Sequence, residues 1–457
     1  MPVRPTAALT TLLTAALAAT ALTACGNGSG SSPNTLKVSY KQSTDNSIKV
    51  MDTYLAGIKK QFEKKYPGKK VEFVPIKAPD SEYYTKLQQM LRSPRTAPDL
   101  VYEDTFLINS DITSGYLKPL DPYLAKWPDW QRFIGTAKNS AKGADGKTYG
   151  VPDGTDTRGL WFDRRVFAKA GLPADWQPRT WDDVLAAART IKKRVPGVTP
   201  LNVYTGKPAG ERATMQGFEM LLYGTGDGTS DPLYDSGGKK WIAGSQGFED
   251  SLKFVETVYK EKLGPDVSDA LDPNFATTVN GELLPQGKLG IDLDGSWLPQ
   301  AWLPGSGHEW KDWSKRLGLA YMPTQHGQAP GKVSMSGGWT WAVPAKAAHP
   351  DLAFDFVRTL QTKDNARAWY VADSGISVRE DVAEDPAYAT AQPGIKFFTD
   401  LVASTHYRPA YPAYPKVSTA VQEAMEGVTT GDQSAEKAAS GYDATLKDVT
   451  DGQVIRK

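Results

Sequence analysis

Acidic residues and tryptophans cluster where short apolar runs of this sequence stop. Glu103-Asp104 closes the run beginning at Asp99, Asp153 and Asp156 follow Val151-Pro152, and Asp294 precedes Gly295-Ser296-Trp297. Two carboxylates flanking a glycosidic bond can hydrolyse it. The same acids can instead accept hydrogen bonds from hydroxyl groups without any reaction, and spacing along the chain leaves both readings open. Other chemistries fit less well. Ala141-x4-Gly146-Lys147-Thr148 satisfies a relaxed phosphate-loop pattern, but such a loop must open a helix. Here Tyr149-Gly150-Val151-Pro152 follows, which reads as strand, and Asp145-Gly146-Lys147 reads as a hairpin turn. His308, His326, His349 and His406 are scattered without zinc-ligand spacing. Gly224–Asp231 lacks the ligand spacing of a calcium loop, and no Gly-x-Ser-x-Gly elbow occurs. No metal, cofactor or catalytic residue is expected.

The elements that position these residues belong to a chain of 457 residues, long enough that two lobes are expected rather than one core. The net charge of +1, with no basic stripe, gives nucleic acid nothing to bind. Residues 1–24 read as a secretory leader: Arg4, then the small-residue apolar run Thr6–Leu22, then Leu22-Thr23-Ala24-Cys25-Gly26. Cys25 is the only cysteine, so no internal disulfide or thiol metal site can form. Its setting resembles the lipobox of bacterial lipoproteins, which implies a diacylated Cys25 (a palmitate-type anchor). Residues 25–34 then read as a flexible tether. No second long apolar stretch follows, so the chain is expected to be anchored to a membrane rather than to span it.

Beyond the tether, β-rich runs alternate with amphipathic helices, the signature of an α/β fold. Leu36–Tyr40, Val71–Ile76, Asp99–Tyr102, Lys147–Pro152, Gly159–Phe162, Leu289–Leu293 and Thr340–Val343 read as strands. Ile48–Tyr66 carries apolar residues at helical spacing until Pro67-Gly68, and Ser81–Arg92 is a second helix. Thr180 with Asp183 three residues on forms a capping-box pattern before Val184–Arg194. After Pro350 the chain reads as mainly helical.

Six segments, in order, resemble the family-1 extracellular solute-binding proteins of sugar ABC importers, the maltose-binding-protein class. They are Ala97–Tyr102 with Gly115–Leu120, Asp145–Pro152 with Asp156–Asp163, Phe167–Pro173 with Thr180–Asp183, Leu293–Trp297, Ser336–Pro344, and Ala353–Val357. Each is weak alone; their shared order is not. The resemblance implies two α/β lobes of periplasmic-binding-protein type, joined by a hinge, with ligand held between them. On that basis lobe 1 is expected at 35–152 plus 298–336, and lobe 2 at 153–297 plus 337–457. Members carry Tyr-Asn where this chain has Phe162-Asp163, a pair expected to pack and cap rather than bind.

A sugar offers apolar C–H faces and a ring of hydroxyls, so its site needs flat aromatics and fixed polar groups. Trp339, after Gly337-Gly338, and Trp297 are the expected platforms, and Gly338 would let backbone approach a ligand. Glu103, Asp104, Asp156 and Arg158 are expected at the cleft edge, with Asp294, itself a common turn residue, beside them. The resemblance adds Ser43, Thr44 and Asp45 after the first strand; the segment Tyr407–Pro412 offers Arg408 or Tyr411 to the cleft, and Trp241 is a further stacking candidate. The expected function is capture of a sugar, a di- or oligosaccharide, by a monomeric, lipid-anchored protein on the outer face of the cell membrane, for delivery to ABC permease subunits. A binding protein for a non-sugar solute and an anchored glycoside hydrolase are the alternatives.

Overall fold

The computed structural model describes residues 32–457 apart from 227–229 and 410. The leader, Cys25 and most of the tether lie outside the described residues. Two sheets organise the rest. The first has the order β2-β1-β3-β12-β4, built from β1 (Thr35–Gln42), β2 (Lys70–Lys77), β3 (Leu100–Asp104), β4 (Gly150–Gly154) and β12 (Trp339–Ala342). Its strands β1, β2 and β3 are parallel, while β12 runs antiparallel between β3 and β4. The helix Val50–Lys65 makes the crossover from β1 to β2, burying Leu55, Ile58 and Phe62. That spacing is one helical face. Phe62 meets Phe356 of the helix Pro350–Leu360 with ring centroids 5.2 Å apart, so this late helix belongs to the first lobe.

The second sheet has the order β10-β5-β9-β6, from β5 (Arg158–Asp163), β6 (Thr199–Asn202), β9 (Leu289–Gly295) and β10 (Leu317–Ala320). Every residue of β5 and β9 is buried, as central strands covered on both faces must be. The helix Trp181–Arg194 opens with the expected capping box: Thr180 accepts from the Asp183 amide, and Asp183 accepts from the amides of Thr180 and Arg179. Phe162 packs 4.6 Å from Phe167, while Asp163 caps the helix Arg164–Ala170 by accepting from the amides of Arg165 and Val166. This pair packs and caps, as expected. A small third sheet, β7 (Tyr234–Asp235), β8 (Lys240–Ala243) and β14 (Val454–Arg456), lies at the edge of the second lobe. A two-stranded parallel pair joins β11 (Ser334–Ser336) to β13 (Thr405–Tyr407).

Strand pairing corrects the expected division of the chain. β10 pairs with β5, and Leu298, Trp302 and Trp313 pack with Trp161, so 298–336 goes with the second sheet. β12 pairs with β3 and β4, and Phe354, Phe356 and Trp369 share a core with Leu36 and Val38, so the segment after 336 returns to the first lobe. The chain rejoins the second lobe at the helix Ile395–Leu401, where Phe398 packs against Trp161.

Candidate functional site

The first two passages between the lobes are where β4 runs into β5 and where β11 runs into β12. These two passages are laced together. Thr155 Oγ1 donates to the Gly337 carbonyl at 3.0 Å, Ser336 Oγ donates to the Asp156 carbonyl at 2.7 Å, and the Gly337 amide donates to Asp156 Oδ1 at 2.8 Å. A cleft of about 400 Å³ opens over these passages, bounded by both lobes. Its size lies within the range of small-molecule sites, and the junction of two domains is where such sites concentrate.

The first-lobe wall is aromatic. Trp339 stacks on Tyr102 with centroids 4.9 Å apart and planes 6° from parallel, Tyr83 meets it edge-on, and Tyr84 lies tilted beside it with centroids 6.4 Å apart. A bulge places Trp339 here. Its partner on β4 is Gly154, while Thr340 already pairs with Pro152, which leaves Asp153 as the extra residue. Gly338 has φ +135°, and a Cβ there would lie 2.4 Å from the Gly154 carbonyl oxygen. Only glycine fits that approach. The Asp153 carboxyl lies behind this wall, accepting from Gln361 at 2.6 Å. Burial pushes it well above the ordinary carboxylate range.

The second-lobe wall carries Trp297, whose ring lies so close over Gly295 that a Cβ there would meet it at 2.0 Å. The Arg158 guanidinium sits 4.7 Å from the Trp297 ring centroid and is bonded to Asp156 and to the Met335 carbonyl. One face of each tryptophan is thereby covered by a protein group, Tyr102 for Trp339 and Arg158 for Trp297.

Polar groups ring the space between. Arg408 is the centre of a buried bridge between the lobes, donating to Asp104 at 2.9 Å, to Thr105 at 2.7 Å and to Glu211 at 3.2 Å. Asp104 also accepts from Tyr84 at 2.6 Å, and Glu211 from Tyr414 and Ser418 at 2.9 and 2.6 Å. Burial raises the Glu211 carboxyl and the Arg408 charge pulls against it. Asp373 lines the cleft near Asp156; burial, helped by the Asp156 charge, pushes its carboxyl up to about 8. Among the described residues no cluster of His, Cys, Asp and Glu is arranged to hold a metal ion.

The expected site residues divide clearly. Ser43, Thr44, Asp104, Asp156, Arg158, Trp297, Gly338, Trp339 and Arg408 are brought together around the cleft. Asp45 turns aside, bonded to Ser47 and His308. Glu103, adjacent to Asp104 on β3, faces the opposite side of the sheet and is fully buried beside Asp111. Burial drives its carboxyl well upward. Asp294 is also buried away from the cleft, accepting from Tyr204 at 3.0 Å and Gln216 at 3.3 Å. Trp241 is core to the third sheet, with Tyr234 and Tyr411 packed around it at 5.1 and 6.2 Å, so Trp241 and Tyr411 both sit remote from the cleft. Sequence reasoning missed Tyr84, Tyr102, Met215, Gln300 and Asp373, which reach the cleft only through helix placement and sheet pairing.

Comparison with known proteins agrees with this architecture. The chain is 25% identical over 402 residues to a Brucella abortus protein described as a binding protein, covering 86% of this chain and 90% of that one. It is 22% identical over 392 residues to the galactooligosaccharide-binding protein of Bacillus subtilis, covering 84% of each. A solute-binding protein of an ABC transporter from Thermotoga lettingae, bound with α-D-tagatose, superposes with a TM-score of 0.76 at 22% identity, over 91% of this chain and 99% of that one. The likeness in fold thus spans both lobes. Residues 44–367 match the family described as bacterial extracellular solute-binding protein, and the chain belongs to that family.

Proposed function

We propose that this protein captures a neutral carbohydrate between its lobes and presents it to the permease of an ABC importer. The observation that carries the reading is the pair of one-sided indole platforms, Trp339 on the first lobe and Trp297 on the second, facing a cleft whose remaining lining mixes hydrogen-bonding groups such as Asp104, Asp156 and Gln300 with apolar ones such as Met51 and Met215. A sugar presents apolar C–H faces to such rings and hydroxyls to such a rim. The similarity to proteins described as binding a galactooligosaccharide and tagatose supports the same ligand class. The carboxylates at the rim are engaged structurally: Asp104 is bonded to Tyr84 and Arg408, and Asp156 to Arg158 and Gly337. They serve as fixed acceptors rather than as an acid and a nucleophile.

A thermal-shift screen tests the reading, because a ligand that binds only the folded state raises the melting temperature. Neutral mono- to trisaccharides are expected to raise it in a saturable way. Amino acids, peptides and phosphorylated polyols are expected not to; a shift from one of those alone would replace sugar with that solute.

The proposal extends to location. Cys25 would carry the acyl chains that hold the protein on the outer face of the membrane, as a monomer, with the chain after it acting as a tether. Cys25→Ser should release the protein from the membrane fraction. Retention in that fraction, extractable only by detergent as for the wild type, would remove the anchor from the account.

A further inference from the structure

The segment from Trp297 to His308 leaves the second sheet and meets the first lobe twice. Gln300 Nε2 donates to Asp373 Oδ1 at the end of the helix Lys363–Asp373, over 2.5 Å. Further along, His308 Nε2 lies 2.7 Å from Asp45 Oδ2, in the loop after β1. A carboxylate only accepts, so Nε2 is the donor whether the ring is neutral or charged. Asp45 is braced from behind: its Oδ1 accepts from the Ser47 amide at 2.8 Å and the Ser47 hydroxyl at 2.6 Å. Burial works to raise the Asp45 carboxyl, and the bonds from Ser47 and His308 outweigh it, so the group sits below its ordinary value and is ionised.

The backbones also close up here. Gly307 has φ +90°, and a Cβ on it would lie 2.1 Å from Ser47 Cβ. The imidazole rests against Gly281, whose neighbour Asn280 lines the cleft, as Ser43 and Thr44 do on the other side. The contact therefore lies at the rim of the cleft, between a loop of each lobe.

We propose that Asp45–His308, seconded by Gln300–Asp373, is a clasp that holds the two lobes closed across the rim. Because both bonds join protein groups only, the clasp also favours the closed form with the cleft empty. The inference is independent of which solute the cleft takes.

Small-angle X-ray scattering of the full chain without ligand tests it. His308→Ala removes the donor to an ionised acceptor; for a partly exposed pair this should shift the closed-to-open ratio roughly five- to thirtyfold toward open. The radius of gyration should rise, and amide exchange in 43–48 and 273–281 should quicken. His308→Gln, whose side-chain amide can donate to the same carboxylate, should recover much of the closed form. If His308→Ala no longer melts cooperatively, Asp45→Ala carries the same expectation. Scattering and exchange identical to wild type in a folded clasp variant would overturn the proposal.

Discussion

Replacing Arg408 with methionine is the sharpest test of how the lobes are tied together. The guanidinium is 7% exposed and is shared by Asp104 and Thr105 of one lobe and Glu211 of the other. Methionine refills much of the volume, including the packing over Phe106, where the guanidinium sits 5.5 Å from the ring centroid. It leaves two buried carboxylates without their cation. Removing one partner of a buried ion pair costs about 3–5 kcal/mol, far more than the pair would contribute if exposed.

The cost must also depend on pH. Burial already raises the Glu211 carboxyl and the Arg408 charge opposes that rise. Without Arg408 the folded-state pKa climbs further above the unfolded value of about 4.3. Between those two values the folded variant holds a proton that the unfolded chain has released, so its stability falls as pH rises. The deficit relative to wild type should thus be smallest near about pH 5 and largest near about pH 8. Chemical denaturation of both proteins at the two pH values measures it, and Arg408→Lys, with one compact charge in place of a fork, should fall between. Equal deficits at both pH values, or a deficit under about 1 kcal/mol, would refute the buried-bridge reasoning.

Asp373 gives the second pH prediction: with its carboxyl raised to about 8 by burial, the folded state holds its proton as pH climbs from about 4, so Asp373→Asn should gain melting temperature relative to wild type as pH approaches about 8–9. Gly295→Ala should displace the Trp297 ring, which a Cβ would meet at 2.0 Å; a shift in tryptophan emission and weakened ligand binding, with unchanged far-UV circular dichroism, are the expected readouts. Thr180→Ala removes one half of the capping box on Trp181–Arg194 and should cost about 1 kcal/mol by denaturation, with ligand affinity unchanged.

Much of the fold is legible in the sequence because its signals are local. Alternation marks β1, Pro67-Gly68 stops the helix Val50–Lys65, and Thr180 with Asp183 announces Trp181–Arg194. What is not local is not legible. Leu317–Ala320 and Trp339–Ala342 are both short apolar runs, and nothing in either says which sheet it will join; pairing with β5 in one case and with β3 and β4 in the other decides it. The same limit governs the site. Trp297, Trp339 and Gly338 are marked by glycines that their backbone and rings require, whereas Asp373 and Gln300 look like ordinary helix-end polar residues until their lobes meet. Asp294 and Glu103 misled because an acid at a strand end can face either way, and Trp241 because its pairing with Val454 across the sequence is invisible.

Titration calorimetry with the saccharide that stabilises the wild type most, repeated on Trp339→Ala and Trp297→Ala, tests the central claim most directly. Covering one sugar face with an indole removes apolar surface from water at about 25 cal/mol per Å². For a contact of that size the loss is roughly 1–3 kcal/mol, or about five- to 150-fold in affinity, for each variant. Both variants should still unfold cooperatively, since neither indole is fully buried in the lobe core. Wild-type affinity in both folded variants would contradict capture of a carbohydrate between these two rings.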